Sequence, residues 1–183
     1  GGPSVRPYQP PGYWAYLNFP TREWQSSQGS DLYRRGLYVH WQRQYLHPSM
    51  LAFDAPCREE CTPDRSRSNT PLQALVLLND PIYVEAARVL GEKTARQKGS
   101  DTQRLEWMTQ KVLNRKPGIQ EKEILDNLLS RQRDRFKASP ASATDLVSTG
   151  EWPKAEGLDP AEHAAWTMVA RALFNLHETI TRE

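Results

Sequence analysis

Apolar residues return at spacings of three and four through most of the C-terminal two thirds of this chain. The pattern is clearest at the end, where Trp166, Val169, Leu173, Leu176 and Ile180 mark one helix face. Asp159-Pro160 supplies a cap and a first-position proline for that helix. Ala161, Ala164, Ala165, Ala170 and Ala172 keep its flanks thin, so neighbours can approach closely. The same Asp-Pro start recurs at Asp80-Pro81, before a helix running to about Lys98 with Ile82, Ala86, Val89 and Leu90 on one face. Gly99-Ser100-Asp101 breaks it and caps a helix over 102–114 whose buried stripe is Leu105, Met108 and Val112. "NRKPG" then turns the chain into a helix over 120–138, with Ile124, Leu125, Leu128, Gln132 and Phe136 at helical spacing. These two predict a helical hairpin. Ser139-Pro140 starts a short helix to about Ser148, and "STGEWPKAEG" reads as a loop.

Upstream, "NTPLQALVLLNDP" predicts a compact helix over 71–79. Thr70 is a natural cap, and Pro71 sits where a missing N–H costs nothing. Pro81 would cost about 3 kcal/mol inside a helix and biases Asp80 away from the helical region. Leu72, Leu75, Val76 and Leu78 are spread nearly all round, which predicts a central position. Residues 54–69 read as a loop. In 36–42, Leu37, Val39 and Trp41 alternate with Tyr38 and His40, which predicts a short strand; Leu37, Trp41 and Tyr45 fit helical spacing as well. Residues 1–30 hold five prolines and four glycines, which exclude a long helix. They also hold Tyr8, Tyr13, Trp14, Tyr16, Phe19 and Trp24, so the arm is expected to pack its rings onto the domain. The expectation is a mainly α-helical, bundle-like domain of five or six helices over 31–183, an irregular arm over 1–30, and at most one short β element.

Composition changes this picture little. The apolar fraction is 38% and the mean hydropathy −0.75, polar for a globular chain of 183 residues. Long solvated helices fit, and so does a piece of a larger protein whose remainder covers it; the Gly-Gly-Pro-Ser start without methionine favours an excised segment. No apolar run is long enough for a membrane span. A net charge of +2 argues against nucleic acid, which wants a concentrated basic face. The first 92 residues carry nine Arg and no Lys, while all seven Lys follow from Lys93. Arg suits fixed contacts and Lys solvated surface, so the N-terminal half is expected to use its cations in specific pairings.

Three constellations are candidates for chemistry. Arg65, Arg67, Ser68, Asn69 and Thr70 precede helix 71–79, whose free N–H groups and dipole attract anions. Arg34 and Arg35 could join them around a carboxylate, sulfate or phosphate. Asp54, Glu59, Glu60 and Asp64 stand beside these arginines in sequence, which favours internal pairing. Tyr13, Trp14 and the other rings of the arm could stack on sugars, or cover the core. His40, His47, His163 and His177 show no zinc-protease spacing; His40 with Asp54 or Glu59 would make an acid–base pair. No catalytic residue or metal site is assigned. Cys57 and Cys61, flanked by Pro56 and Pro63, could form a disulfide in a loop; two unlinked thiols fit nearly as well.

Several stretches carry a resemblance: "GGPSVRPYQPPGYW", "YRRGLYVHWQR", "PSMLAFDAP", "RSNTPLQALVLLNDPIYVEAAR" and "AAWTMVARALFNLHETITRE". Together they resemble the planctomycete-type domain of unknown function 1553, in its C-terminal part; residues 99–157 share only general helical character. The resemblance implies a large, exported, multi-domain bacterial protein of the periplasm or cell envelope. It implies c-type haem in an upstream module, with no cofactor expected in this segment. The family supplies no established catalytic residue. The expected function is a non-catalytic structural or interaction domain whose partners are neighbouring domains of the same polypeptide. The alternatives are a module binding anionic glycans or other anions through the Arg-rich loop and arm, with polysaccharide as partner, and part of a hydrolase or redox enzyme.

Overall fold

A computed structural model describes residues 2–15, 23–42, 45–56, 59–64, 66 and 68–181. Helices dominate: α1 (Pro48–Ala52), α2 (Pro71–Asn79), α3 (Pro81–Ala95), α4 (Asp101–Leu113), α5 (Ile119–Ala138), α6 (Pro140–Val147), α7 (Pro160–Phe174) and α8 (His177–Ile180). The fold is mainly α, as the spacing predicts. The chain divides into two compact units, Gly1–Val76 and Leu77–Glu183.

In the first unit the arm is held by the few backbone groups its prolines leave. Val5 N–H donates to Tyr38 O (2.8 Å) and His40 N–H donates to Val5 O (2.7 Å), a single parallel bridge between Val5 and Val39. A parallel ladder would next need N–H groups at positions 3 and 7, and both are proline. The strand expected at 36–42 therefore does not form. Gly36–Tyr38 is a 3-10 turn, and the described residues contain only isolated bridges there. Side chains finish the attachment: Trp24 Nε1–H donates to Pro7 O (2.8 Å) and Tyr13 O–H donates to Leu46 O (3.0 Å). Val5, Trp14, Leu32, Val39, Leu46 and Ala52 are buried.

α2 starts with a reciprocal capping box. Gln73 N–H donates to Thr70 Oγ1 (3.3 Å), and Thr70 N–H donates to Gln73 Oε1 (3.4 Å). Gln73 also donates from Nε2 to Ser68 Oγ (3.1 Å) and is buried. With Gln73 and Leu77 turned inward, Leu72 and Leu75 are left 58% and 55% exposed. The central position expected for this helix is not what is seen.

The central helix of the second unit is α7, packed by α3, α5 and α6. Ala164, Ala165, Trp166, Val169 and Ala170 are fully buried. The thin flanks work as the alanines predict: a Cβ added at Gly91 of α3 would lie 2.8 Å from Thr167 N and 3.0 Å from its Cα. Asp80, Ser100 and Asp159 cap α3, α4 and α7 with their side chains. On α5 the inner face is Leu125, Leu129 and Phe136, and Ile124 points out at 66% exposure. α3 ends at Ala95, three residues before the expected Lys98, and the last helix stops at Phe174 although its apolar pattern continues to Ile180.

Candidate functional site

Two candidates of the first unit, Arg34 and Thr70, are engaged with the chain's own backbone. Arg34 donates from Nη1 to Pro3 O (2.7 Å), with its guanidinium carbon 3.8 Å from the Tyr38 ring centroid. Arg35 and Asn69 are exposed, and Thr70 is the α2 cap. Arg65 and Arg67 lie outside the described residues. Asp54 accepts from both Ser68 Oγ (2.6 Å) and Ser68 N–H (2.8 Å), which hold its carboxyl below the usual range. Trp14 is buried edge-on against Trp24, with ring centroids 5.0 Å apart and the His40 ring 6.0 Å from Trp14. His47 Nε2 lies 2.6 Å from Tyr8 O, and its Nδ1 lies 2.7 Å from Ser49 Oγ. A ring donating to Tyr8 O through Nε2 presents Nδ1 as acceptor for the serine hydroxyl. Both residues are buried, so this pair fixes the start of α1 under the aromatic arm. Cys61 is exposed, and Cys57, its expected partner, lies outside the described residues.

The most buried charges among the described residues are Glu85 and Arg88 on α3, outside every constellation the sequence suggests. The inner face of α3 is Val84, Ala87, Gly91 and Ala95 with Glu85, Arg88 and Thr94; the expected face of Ile82, Ala86, Val89 and Leu90 is only half-buried. Hydropathy assigns Glu and Arg to solvent. Here both find partners in the loop before α7. Glu85 Oε2 accepts from Trp152 N–H (2.9 Å), while Arg88 donates to Trp152 O (2.6 Å) and Pro153 O (3.2 Å). His163 of α7 closes the cluster, with Nε2 2.9 Å from Arg88 O; burial pushes its imidazole below the ordinary value. Gly150 makes room: its φ is +88°, and a Cβ there would fall 1.7 Å from Glu85 Oε2. The signal available in sequence was the register itself, since Glu85 and Arg88 share the spacing of Val84, Ala87 and Gly91. These groups grip the 150–153 backbone, and no substrate reaches them unless that loop moves.

Two further ion networks tie helices together. Arg133 of α5 donates to Glu162 (2.5 and 2.8 Å) and Asp101 (2.5 Å), joining α4, α5 and α7. Burial alone would raise the Glu162 carboxyl, but Arg133 and Trp166 Nε1–H outweigh it and hold it low. Arg115, in the α4–α5 turn, makes two forks: to Glu121 (2.7 and 2.8 Å) and to Glu178 of α8 (2.7 Å twice). With a further bond from Gly118 N–H, this brings Glu121 down to about 2. Beside this second network lies an apolar groove of about 160 Å³ lined by Leu113, Ile124, Leu125, Leu173 and Leu176, with Glu121 at its edge. Ile119 stands at the start of α5, 86% exposed. Among the described residues no three His, Cys, Asp or Glu side chains gather as a metal site, and no helix is long and apolar enough to cross a membrane.

These features define a mainly helical domain whose buried charges hold its own backbone and in which the groove beside Arg115 is apolar. The chain belongs to the family PSD1, protein of unknown function (DUF1553), which it matches over residues 1–129. No curated protein and no solved structure matches it. The matched span ends inside α5, yet the core of the second unit runs on through Ala143 of α6 and Leu173 of α7. The matched residues Glu85 and Arg88 thus grip a loop beyond the span. The quoted stretch from Ala164 onward also lies beyond it.

Proposed function

We propose that this chain is a non-catalytic interaction domain that docks neighbouring modules of one exported, cytochrome-associated bacterial polypeptide in the periplasm or cell envelope. The observation that carries the reading is the apolar groove lined by exposed Ile124 and Leu176, with Ile119 exposed at the start of α5. Single exposed apolar side chains are ordinary, but contiguous ones around a groove mark interaction sites. The polar groups support the same reading, because Glu85, Arg88, Arg34 and Tyr13 are directed at the chain's own carbonyls and amides. The c-type haem of such a polypeptide would sit in an upstream module.

Cross-linking of the full-length polypeptide tests this. Lys116 and Lys122 flank the groove-lining helix starts, and they are expected to link to residues outside this chain. Ile119→Asp with Ile124→Asp is expected to reduce those links at least about ten-fold without changing the melting temperature, since both side chains are exposed. Links confined to this chain in the wild-type polypeptide would overturn the reading. Fractionation of the source cells checks the compartment.

A further inference from the structure

The end of the chain is held in a bend that nothing in its own sequence requires. The apolar positions Leu173, Leu176 and Ile180 fit one continuous helix, and neither glycine nor proline stands between Phe174 and His177. Asn175 is near-helical already, at φ −88° and ψ 1°. Between α7 and α8, Leu176 is extended, at φ −72° and ψ 138°. Rotating ψ of Leu176 toward about −42° would carry α7 onward.

One distant contact and one local contact hold the bend. Arg115 forks onto Glu178 at 2.7 Å through both Nε and Nη2. Thr179 Oγ1 donates to Leu173 O (2.6 Å), a carbonyl that the continuing helix would give to the amide four residues on. Leu176 forms one wall of the 160 Å³ groove beneath.

We propose that Asn175–Thr181 is a latched strap: the Arg115–Glu178 fork holds it across the groove, and release of that fork lets α7 straighten and widens the groove. The hinge is the ψ angle of Leu176. The latch is an exposed ion pair, so salt weakens it. The use of the strap in docking rests on the function proposed above. Its movement does not.

Hydrogen exchange of the whole chain reads the movement directly. In the bent form Leu173 O is taken by the Leu176 amide (3.2 Å) and Thr179 Oγ1 (2.6 Å); in a straightened α7 the amides of His177 and Glu178 would instead donate to Leu173 O and Phe174 O. Glu178→Gln is expected to slow exchange at the amides of positions 177 and 178 about ten-fold or more and to leave α3, α5 and the body of α7 protected. In wild type, about 1 M salt is expected to produce the same local slowing, and in Glu178→Gln to add little. Unchanged exchange at these two amides would overturn the strap while leaving docking standing. Faster exchange throughout α3–α7 would also overturn it, because the fork would then be a general support.

Discussion

Gly91→Ala sets two physical effects against each other at one position. In the middle of α3 the substitution should help, because alanine is about 1 kcal/mol better than glycine in a helix interior. The structure puts Thr167 in the way. The new Cβ would lie 2.8 Å from Thr167 N, 3.0 Å from its Cα and 3.0 Å from Oγ1. Two of the three are backbone atoms of α7, in a segment where Ala164 to Thr167 are all buried. They cannot rotate away, so α3 and α7 must separate. Inserting a methyl into a packed core costs about 1–3 kcal/mol, and backbone contacts belong in the upper half of that range. The expected net is a loss of about 1–2 kcal/mol, or a melting temperature roughly 5–10 °C lower for a unit of this size. Calorimetry and urea unfolding both read it. Adding Thr167→Ala removes only the Oγ1 contact and should restore less than half. An unchanged or raised melting temperature would refute the close helix approach, because propensity alone would then explain the result.

Arg88→Met removes two charge-assisted hydrogen bonds to the 152 and 153 carbonyls. At about 1.5–3 kcal/mol each, less partial rehydration of the loop, the expected loss is roughly 3 kcal/mol; Arg88→Lys should not rescue it, since one ammonium cannot reproduce the fork. Proteolysis at the 150–153 loop before global unfolding is the accompanying sign. For His163, the folded value lies below the unfolded 6.5, so the unfolded chain binds more protons as pH falls. Stability should therefore be full above about pH 7.5 and decline as pH drops through 6.5. Urea midpoints against pH should lose that slope in His163→Gln and keep the later decline below about pH 4.5, where the Glu121, Glu162 and Asp101 carboxylates take up protons.

Local grammar was legible because it is short-range. The Asp-Pro starts at 80 and 160, the Ser100 cap and the proline restart at 140 all depend on residues within one turn, and the helices begin where these signals stand. The inner faces of α2 and α3 were not legible for the opposite reason. Gln73, Glu85 and Arg88 face inward because partners elsewhere satisfy them: Ser68 for the first, the 150–153 loop for the other two. A hydropathy pattern has no access to such partners and turns every charge outward. The candidate site divides the same way. Arg34 and Trp14 stood out by residue type, but their partners, Pro3 O and the Trp24 ring, are set by how the arm folds back.

The sequence alone therefore determined the helical class, the starts of α2 to α7, the family membership and the close-packing character of α7. Those rest on periodicity, caps and small residues, each written in neighbouring positions. Tertiary structure decided which faces are inside, that a strand is blocked by prolines in its partner segment, and that the final helix bends at Leu176. Each of these depends on a contact whose two sides are far apart in the chain, where the energy of a paired charge or carbonyl outweighs the local preference.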